Sequence, residues 1–170
     1  MMQAVRKLPS VRKAFVASGV RHDLALLDER YVRELVRHHV GGHLKLAPEH
    51  VSAEVLELMH KPRFDAFVEF VDKFARESRA AGLEQYVVPY LISSHPGCTL
   101  EHMRELATWF NEKRWNVEQV QDFLPTPMTV STAMYHAGVC PFTAKRVHVA
   151  RTHGEKAKQR GMMPVRKREA

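Results

Sequence analysis

The chain has 170 residues, of which 45% are hydrophobic and 26% charged, a composition typical of a single globular domain. It contains no apolar stretch of about 18 residues and no signal-peptide pattern at its start, so we expect a cytoplasmic protein and no membrane contact. The only cysteines, Cys98 and Cys140, form no CxxC pair, which argues against a disulfide framework or a thiolate metal site. The formal charge of +7 is uneven, because residues 145–170 hold nine Lys/Arg against two Asp/Glu.

Hydrophobic periodicity predicts strands and helices in regular alternation. In chain order these are a strand at 14–18, a helix from Asp28 to the Gly41–Gly42 pair, a strand at 43–47, a helix capped by Ser52, a second helix from about Phe64 to Gly82, a strand at 85–92, a helix capped by Thr99, a strand at 117–124, and short helices at 129–137 and 143–153. From about Gly154 onward, the basic composition predicts little order.

The alternation predicts an α/β fold with about four parallel strands and flanking helices, because parallel strands require crossover connections. Four strands cannot close a barrel, so the sheet is either small and open or part of a larger (β/α) barrel. The predicted organisation is a sheet domain over 1–128, a helical extension over 129–153 and a basic tail over 154–170.

Polar side chains follow the predicted strands, at the edge where parallel α/β proteins bind their ligands. The candidates are Arg21 and Asp23, then Glu49 and His50, and then Ser93, Ser94 and His95. A single histidine at such a position is more often a surface or capping residue than a ligand, and Glu49 fits equally well a carboxylate favoured by the dipole of the following helix. The spacing of His38, His39 and His43 could place two imidazoles together, but no third ligand type is close in sequence, and a solvated helix end is the favoured interpretation.

Two segments, LAPEHVSAEVLELMHK at residues 46–61 and YLISSHPGCT at residues 90–99, resemble parts of a known family. The first resembles the fourth strand and helix of a radical S-adenosylmethionine barrel, and the second resembles its fifth strand and turn. Residues 17–25 and 120–129 resemble the ends of the third and sixth strands. Together with 132–135 and 148–153, these segments resemble YgiQ-type (UPF0313) proteins from about residue 5 to residue 160.

The resemblance implies a six-stranded partial barrel in which a 4Fe-4S cluster, held by a CxxxCxxC loop, cleaves S-adenosylmethionine reductively to a 5′-deoxyadenosyl radical. It also implies that Glu49 and His50 contact the methionine or ribose part, that Ser93, Ser94 and His95 lie near the adenine, and that Arg21 and Asp23 contact the ribose or a carboxylate. The CxxxCxxC motif is absent from this sequence, and two cysteines cannot hold three irons. No catalytic or metal-binding residue is therefore predicted here.

The sequence thus predicts the C-terminal part of a radical S-adenosylmethionine barrel, with the start of the family's C-terminal region of unknown function. Its partners would be the missing half of the barrel, from the same or a separate chain, and S-adenosylmethionine. Two alternatives stay open. One is a binding module whose basic tail contacts RNA or an acidic protein, although the tail lacks the interleaved aromatic residues of nucleic-acid sites. The other is a gene remnant with an unpaired sheet edge at 14–18.

Overall fold

The computed structural model describes residues 2–115 and 117–163. Its strands are β1 (His43–Glu49), β2 (Tyr86–Ser93) and β3 (Val120–Asp122). Its α-helices are α1 (Met2–Arg6), α2 (His22–Ala25), α3 (Glu29–Glu34), α4 (Ala53–Leu58), α5 (Phe64–Ala80), α6 (Leu100–Glu112), α7 (Val130–Ala137) and α8 (His153–Arg160), and a π-helical turn (Leu35–His39) continues α3.

Within the described residues, the sheet is open, parallel and three-stranded, in the order β1-β2-β3. The register of β2 and β3 pairs Leu91 with Val120 and Ser93 with Asp122. Parallel neighbours end at the same edge, so Ser93 and Asp122 are adjacent at the carboxyl end of the sheet. The predicted α/β class is confirmed, whereas residues 2–115 and 117–163 form three of the four predicted strands.

The prediction of a strand at 14–18 is wrong. Val16 donates its N–H to the carbonyl of His39 at 2.9 Å, and the His39 ring contacts the Ala14 carbonyl at 2.7 Å. These bonds join the segment to the end of the π-helical turn instead of to a neighbouring strand, and a ladder is what defines a strand. The same contact overturns the expectation for His39, which is buried, while His38 is exposed.

The C-terminal third also differs from the prediction. β3 is three residues long instead of eight, and no helix forms over 143–153. There, Cys140 accepts from the Ala144 N–H and donates to the Lys145 carbonyl, which closes a turn instead. A helix, α8, forms where little order was expected, and the part of the tail beyond residue 163 lies outside the described residues.

The chain divides into two compact units. The first comprises residues up to Ala47 and Asp65–Val88, and the second comprises Pro48–Phe64 and residues from Pro89 onward. The first unit buries the apolar stripe of α5, including Phe67, Phe70 and Phe74. The core of the second unit is formed by Val55, Leu91, Cys98, Met103, Leu106, Ala107, Phe110, Val117 and Met163.

Candidate functional site

The carboxyl ends of β1 and β2 share an unusual backbone conformation. Glu49, the last residue of β1, has φ 66°, and Ser94, which follows β2, has φ 62°. Non-glycine residues rarely adopt this left-handed region and persist there only when their surroundings hold them. Such residues concentrate at functional sites, so these two strand ends form the candidate site of the second unit.

The side chain of Glu49 is largely buried and forms an ion pair. Lys61 lies 3.0 Å from its Oε1, and the Glu49 side chain is 13% exposed. A charge-assisted hydrogen bond of this kind fixes the carboxylate in one orientation. The group can therefore accept a further hydrogen bond from a hydroxyl or ammonium group at the strand end.

His50 is buried, and its Nδ1 accepts hydrogen bonds from the N–H groups of Val51 and Ser52, both at 3.0 Å. This arrangement places the ring proton on Nε2, which lies 3.7 Å from Cys98 Sγ. Burial first, and the neighbouring His102 and His95 next, lower the pKa of His50 to about 3. His50 is therefore neutral and acts as a cap before α4.

The structure thereby corrects the predicted cap of α4. Ser52 occupies the N-cap position, but its side chain accepts no hydrogen bond from the helix. The predicted cap of α6 is confirmed, since Thr99 accepts from the His102 N–H and His102 accepts from the Thr99 N–H in a capping box.

Ser93 and Ser94 are both buried, and their polar groups face the C-terminal segment. Ser93 Oγ donates to Asp122 Oδ1 at 2.7 Å, and Arg160 forms an ion pair with the other carboxylate oxygen of Asp122. The Ser94 N–H donates to Gln159 Oε1 at 2.8 Å. Ser94 Oγ has no hydrogen-bond partner among the described residues, an uncommon state for a buried hydroxyl.

His95 is held between two hydrogen bonds. Its Nδ1 lies 2.8 Å from the Pro96 carbonyl and must donate to it, so Nε2 accepts from the Ser131 hydroxyl at 2.8 Å. Burial lowers the pKa of His95 to about 4, and the ring packs edge-on against Phe123 with centroids 5.0 Å apart. A ligand could reach this side chain only if its present partners moved.

Arg21 and Asp23 belong to the first unit, where they pair with each other. The guanidinium of Arg21 donates to both carboxylate oxygens, at 2.9 and 2.6 Å. The hydrogen bond from Arg21 lowers the pKa of Asp23 to about 2. The structure thus brings five of the seven candidates into the second unit and leaves these two as a separate ion pair.

Sequence patterns missed the residues that surround the strand ends, namely Lys61, Asp122, Ser131, Gln159 and Arg160. One signal was available for α8, because Thr152 and Glu155 have the spacing of a capping box, and both of its hydrogen bonds are formed. Nothing local marks Gln159, whose partners lie 61 and 65 residues away.

The thiols do not form a cluster site. Cys98 is buried, which raises the pKa of its thiol to about 12, so it stays protonated. Within residues 2–115 and 117–163, no three His, Cys, Asp or Glu side chains are grouped so that they could hold a metal ion. The residues present do not fit a 4Fe-4S cluster. Across the same residues, no helix combines the length and the apolar character needed to cross a membrane.

The open parallel sheet with polar residues at its strand ends defines an α/β protein with a candidate ligand site at that edge. Comparison with known proteins identifies its family. A family described as "Domain of unknown function (DUF3362)" matches residues 118–169, which include β3, α7 and α8.

A UPF0313 protein from Methanosarcina mazei is 50% identical over 166 residues, which is 98% of this chain and 26% of that protein. One from Geobacter sulfurreducens is 50% identical over 163 residues, covering 96% of the chain and 27% of the protein. One from Porphyromonas gingivalis is 44% identical over 169 residues, covering 94% and 27%. The chain is a UPF0313 family segment and spans about a quarter of the length of these curated relatives.

Proposed function

We propose that this segment supplies part of the S-adenosylmethionine-binding rim of a radical S-adenosylmethionine enzyme whose substrate is unknown. The observation that carries the proposal is the pair of left-handed residues, Glu49 and Ser94, at neighbouring carboxyl ends of a parallel sheet. Ligands of open α/β sheets bind at that edge, and strained backbone there is a common feature of ligand sites.

Glu49 is the residue best placed to contact the cofactor. Its carboxylate is oriented by Lys61 and its side chain is 13% exposed, so it would accept a hydrogen bond from the methionine ammonium or from a ribose hydroxyl. His50 supports Glu49 through the backbone, because its ring accepts hydrogen bonds from the N–H groups of Val51 and Ser52, which follow Glu49 closely in the chain. Ser93, Ser94 and His95 would shape the adenine end of the rim.

The cluster would come from another part of the full-length enzyme, since Cys98 and Cys140 do not provide three adjacent thiolates. When bound, the cluster and S-adenosylmethionine would supply the radical chemistry. This chain's own residues would bind and orient the cofactor, and the chain alone should generate no radical.

The test is a titration of the chain with S-adenosylhomocysteine, followed by NMR, in parallel with Glu49→Gln. Losing the charge of Glu49 should weaken binding at least about tenfold, because a hydrogen bond to a charged group contributes about 1.5–3 kcal/mol. Glu105→Gln, an exposed carboxylate change on α6, is the matched control and should bind as the unmodified chain does. No binding, or equal binding by Glu49→Gln, would contradict the assignment.

A second ligand separates the two contacts open to Glu49. 5′-Deoxyadenosine carries the ribose but lacks the amino-acid part. If Glu49 contacts the ammonium group, Glu49→Gln should weaken S-adenosylhomocysteine only, and if it contacts the ribose, both ligands should be weakened.

A further inference from the structure

One side chain of the DUF3362 segment bridges the turn that follows β2. Gln159 Oε1 accepts from the Ser94 N–H at 2.8 Å, and its Nε2 donates to the Cys98 carbonyl at 2.9 Å. The side chain is 2% exposed, so both bonds are shielded from water. A single carboxamide therefore ties together the two ends of the Ser94–Cys98 turn.

The turn requires such a constraint because two of its residues are left-handed. Ser94 has φ 62°, and Gly97 has φ 90°. Gly97 also approaches α4 so closely that an added Cβ would lie 2.2 Å from Leu58 Cδ1. Among the residues that the structure describes, the Ser94 hydroxyl has no hydrogen-bond partner that could hold its own backbone. A non-glycine residue stays in this region only where its neighbours over-determine it, and Gln159 is such a neighbour.

Further contacts from the same segment reach neighbouring residues of the turn. The Gly97 N–H donates to the His148 carbonyl at 2.7 Å, and Ser131 donates to His95. On the other side, Arg160 pairs with Asp122, which accepts from Ser93. All of the contributing residues lie within the 118–169 match.

The described part of this segment, up to residue 163, is anchored in the core. Met163, three residues after α8, is 5% exposed and belongs to the hydrophobic cluster that contains Met103 and Phe110. Gln159 is consequently held in place by packing at the end of its own helix. Rigid support of this kind is what a precisely shaped site requires.

We propose that the DUF3362 segment is the structural cap of the strand-end site and that Gln159 is its positioning residue, holding the Ser94–Cys98 turn in its left-handed form. The role of Gln159 in holding the turn follows from its two hydrogen bonds. Its consequence for ligand binding rests on the function proposed above.

The first measurement is amide hydrogen exchange by NMR on the 170-residue chain. Gln159→Met keeps the length of the side chain but removes both hydrogen bonds, and it should raise the exchange rate of the Ser94 amide at least tenfold. Gln159→Glu keeps the acceptor and should retain protection of that amide. Lys158→Met, an exposed change on the same helix, should leave it unchanged. Full protection of Ser94 in Gln159→Met would overturn the proposal.

Phe110→Leu controls for a general loss of stability, since it weakens the hydrophobic core of the same unit and removes neither hydrogen bond of Gln159. It should lower the urea midpoint while the Ser94 amide stays protected under native conditions. If Phe110→Leu raises the exchange rate of the Ser94 amide as much as Gln159→Met does, the faster exchange reflects a general loss of stability, and the positioning role of Gln159 fails.

The second measurement is binding of S-adenosylhomocysteine to the same variants. Gln159→Met should bind at least tenfold more weakly than the unmodified chain, whereas Lys158→Met and Phe110→Leu should bind equally well. If the unmodified chain does not bind, the proposed function fails, and the exchange result alone decides the cap. If Gln159→Met loses Ser94 protection but binds normally, the cap does not position the site.

Discussion

Lowering the pH from 7 to 5 should destabilise the second unit through its two buried, neutral histidines. The pKa of His50 is lowered to about 3 and that of His95 to about 4, both mainly by burial. Because the folded pKa lies below the unfolded value near 6.5, the unfolded chain binds protons first. The stabilisation is therefore complete above about pH 6.5 and is lost as the pH falls toward the folded values.

The size of the effect follows from proton linkage. Each histidine contributes about 1.4 kcal/mol per pH unit over this window, so between pH 6.5 and 5 each costs about 2 kcal/mol and the pair about 4 kcal/mol. A typical domain has a free energy of unfolding of about 5–15 kcal/mol, so the loss is a large fraction of the total. His50 faces His102, Cys98 and His95, and none of these supplies a negative charge that would favour the protonated ring.

Urea unfolding at pH 7, 6 and 5 measures this dependence. The protein's two tryptophans, Trp109 and Trp115, pack against the core of the second unit, so their fluorescence reports on the correct part of the chain. His50→Asn keeps an oxygen acceptor for the N–H groups before α4 and removes the ionisable ring. In His50→Asn, the free energy of unfolding should fall by about 2 kcal/mol between pH 6.5 and 5, because one ionisable histidine remains.

His153→Asn is the matched control, because that side chain is exposed and the substitution should leave the slope unchanged. A free energy of unfolding that does not change between pH 7 and 5 would refute the reasoning for both histidines. An unchanged slope in His50→Asn would refute it for His50 alone.

Two further predictions concern the turn and the thiols. Gly97→Ala should lower the free energy of unfolding by about 2–4 kcal/mol in urea titrations, because it adds a clash with Leu58 to the cost of a left-handed alanine. Gly138→Ala should lower it by about 1 kcal/mol, because Gly138 has φ 67° but open space around it. Iodoacetamide followed by mass spectrometry should modify Cys140 before Cys98. Cys140 is 5% exposed and its pKa is lowered by hydrogen bonding to a neighbouring threonine hydroxyl, whereas Cys98 is 0% exposed and its pKa is raised to about 12. Equal losses for the two glycines, or faster labelling of Cys98, would contradict these expectations.

The central α/β alternation could be predicted because it is encoded locally. The stripe of α5, the caps at Asp28 and Thr99, and the apolar runs of β1 and β2 each lie within one short window of sequence. The predicted bounds of β1 and β2 differ from the observed ones by at most two residues at either end. Periodicity and capping are properties of neighbouring residues, so a single sequence suffices for them.

The segment at 14–18 and the strand at 117–124 were harder to predict because strands depend on distant partners. An apolar β-branched run is compatible with a strand, but only a paired neighbour makes it one. Residues 14–18 bond instead to the end of the π-helical turn, and the strand that pairs with β2 is the short Val120–Asp122. Neither outcome can be read from the local pattern.

The candidate site shows the same division between local and distant information. Glu49, Ser93 and His95 could be found from their place after a strand, since that place is a local property. The contacts of Ser93 and His95 could not be predicted, because their partners come from the C-terminal segment. Composition alone had indicated that much of this segment is basic and poorly ordered. Gln159 lies in a helix with Lys156, Lys158 and Arg160, yet it is buried, whereas Lys158 is exposed and Arg160 pairs with Asp122. A basic helix therefore need not be a solvated tail. A single uncharged side chain within it, placed to satisfy a buried N–H and a buried carbonyl, turns the helix into part of the site.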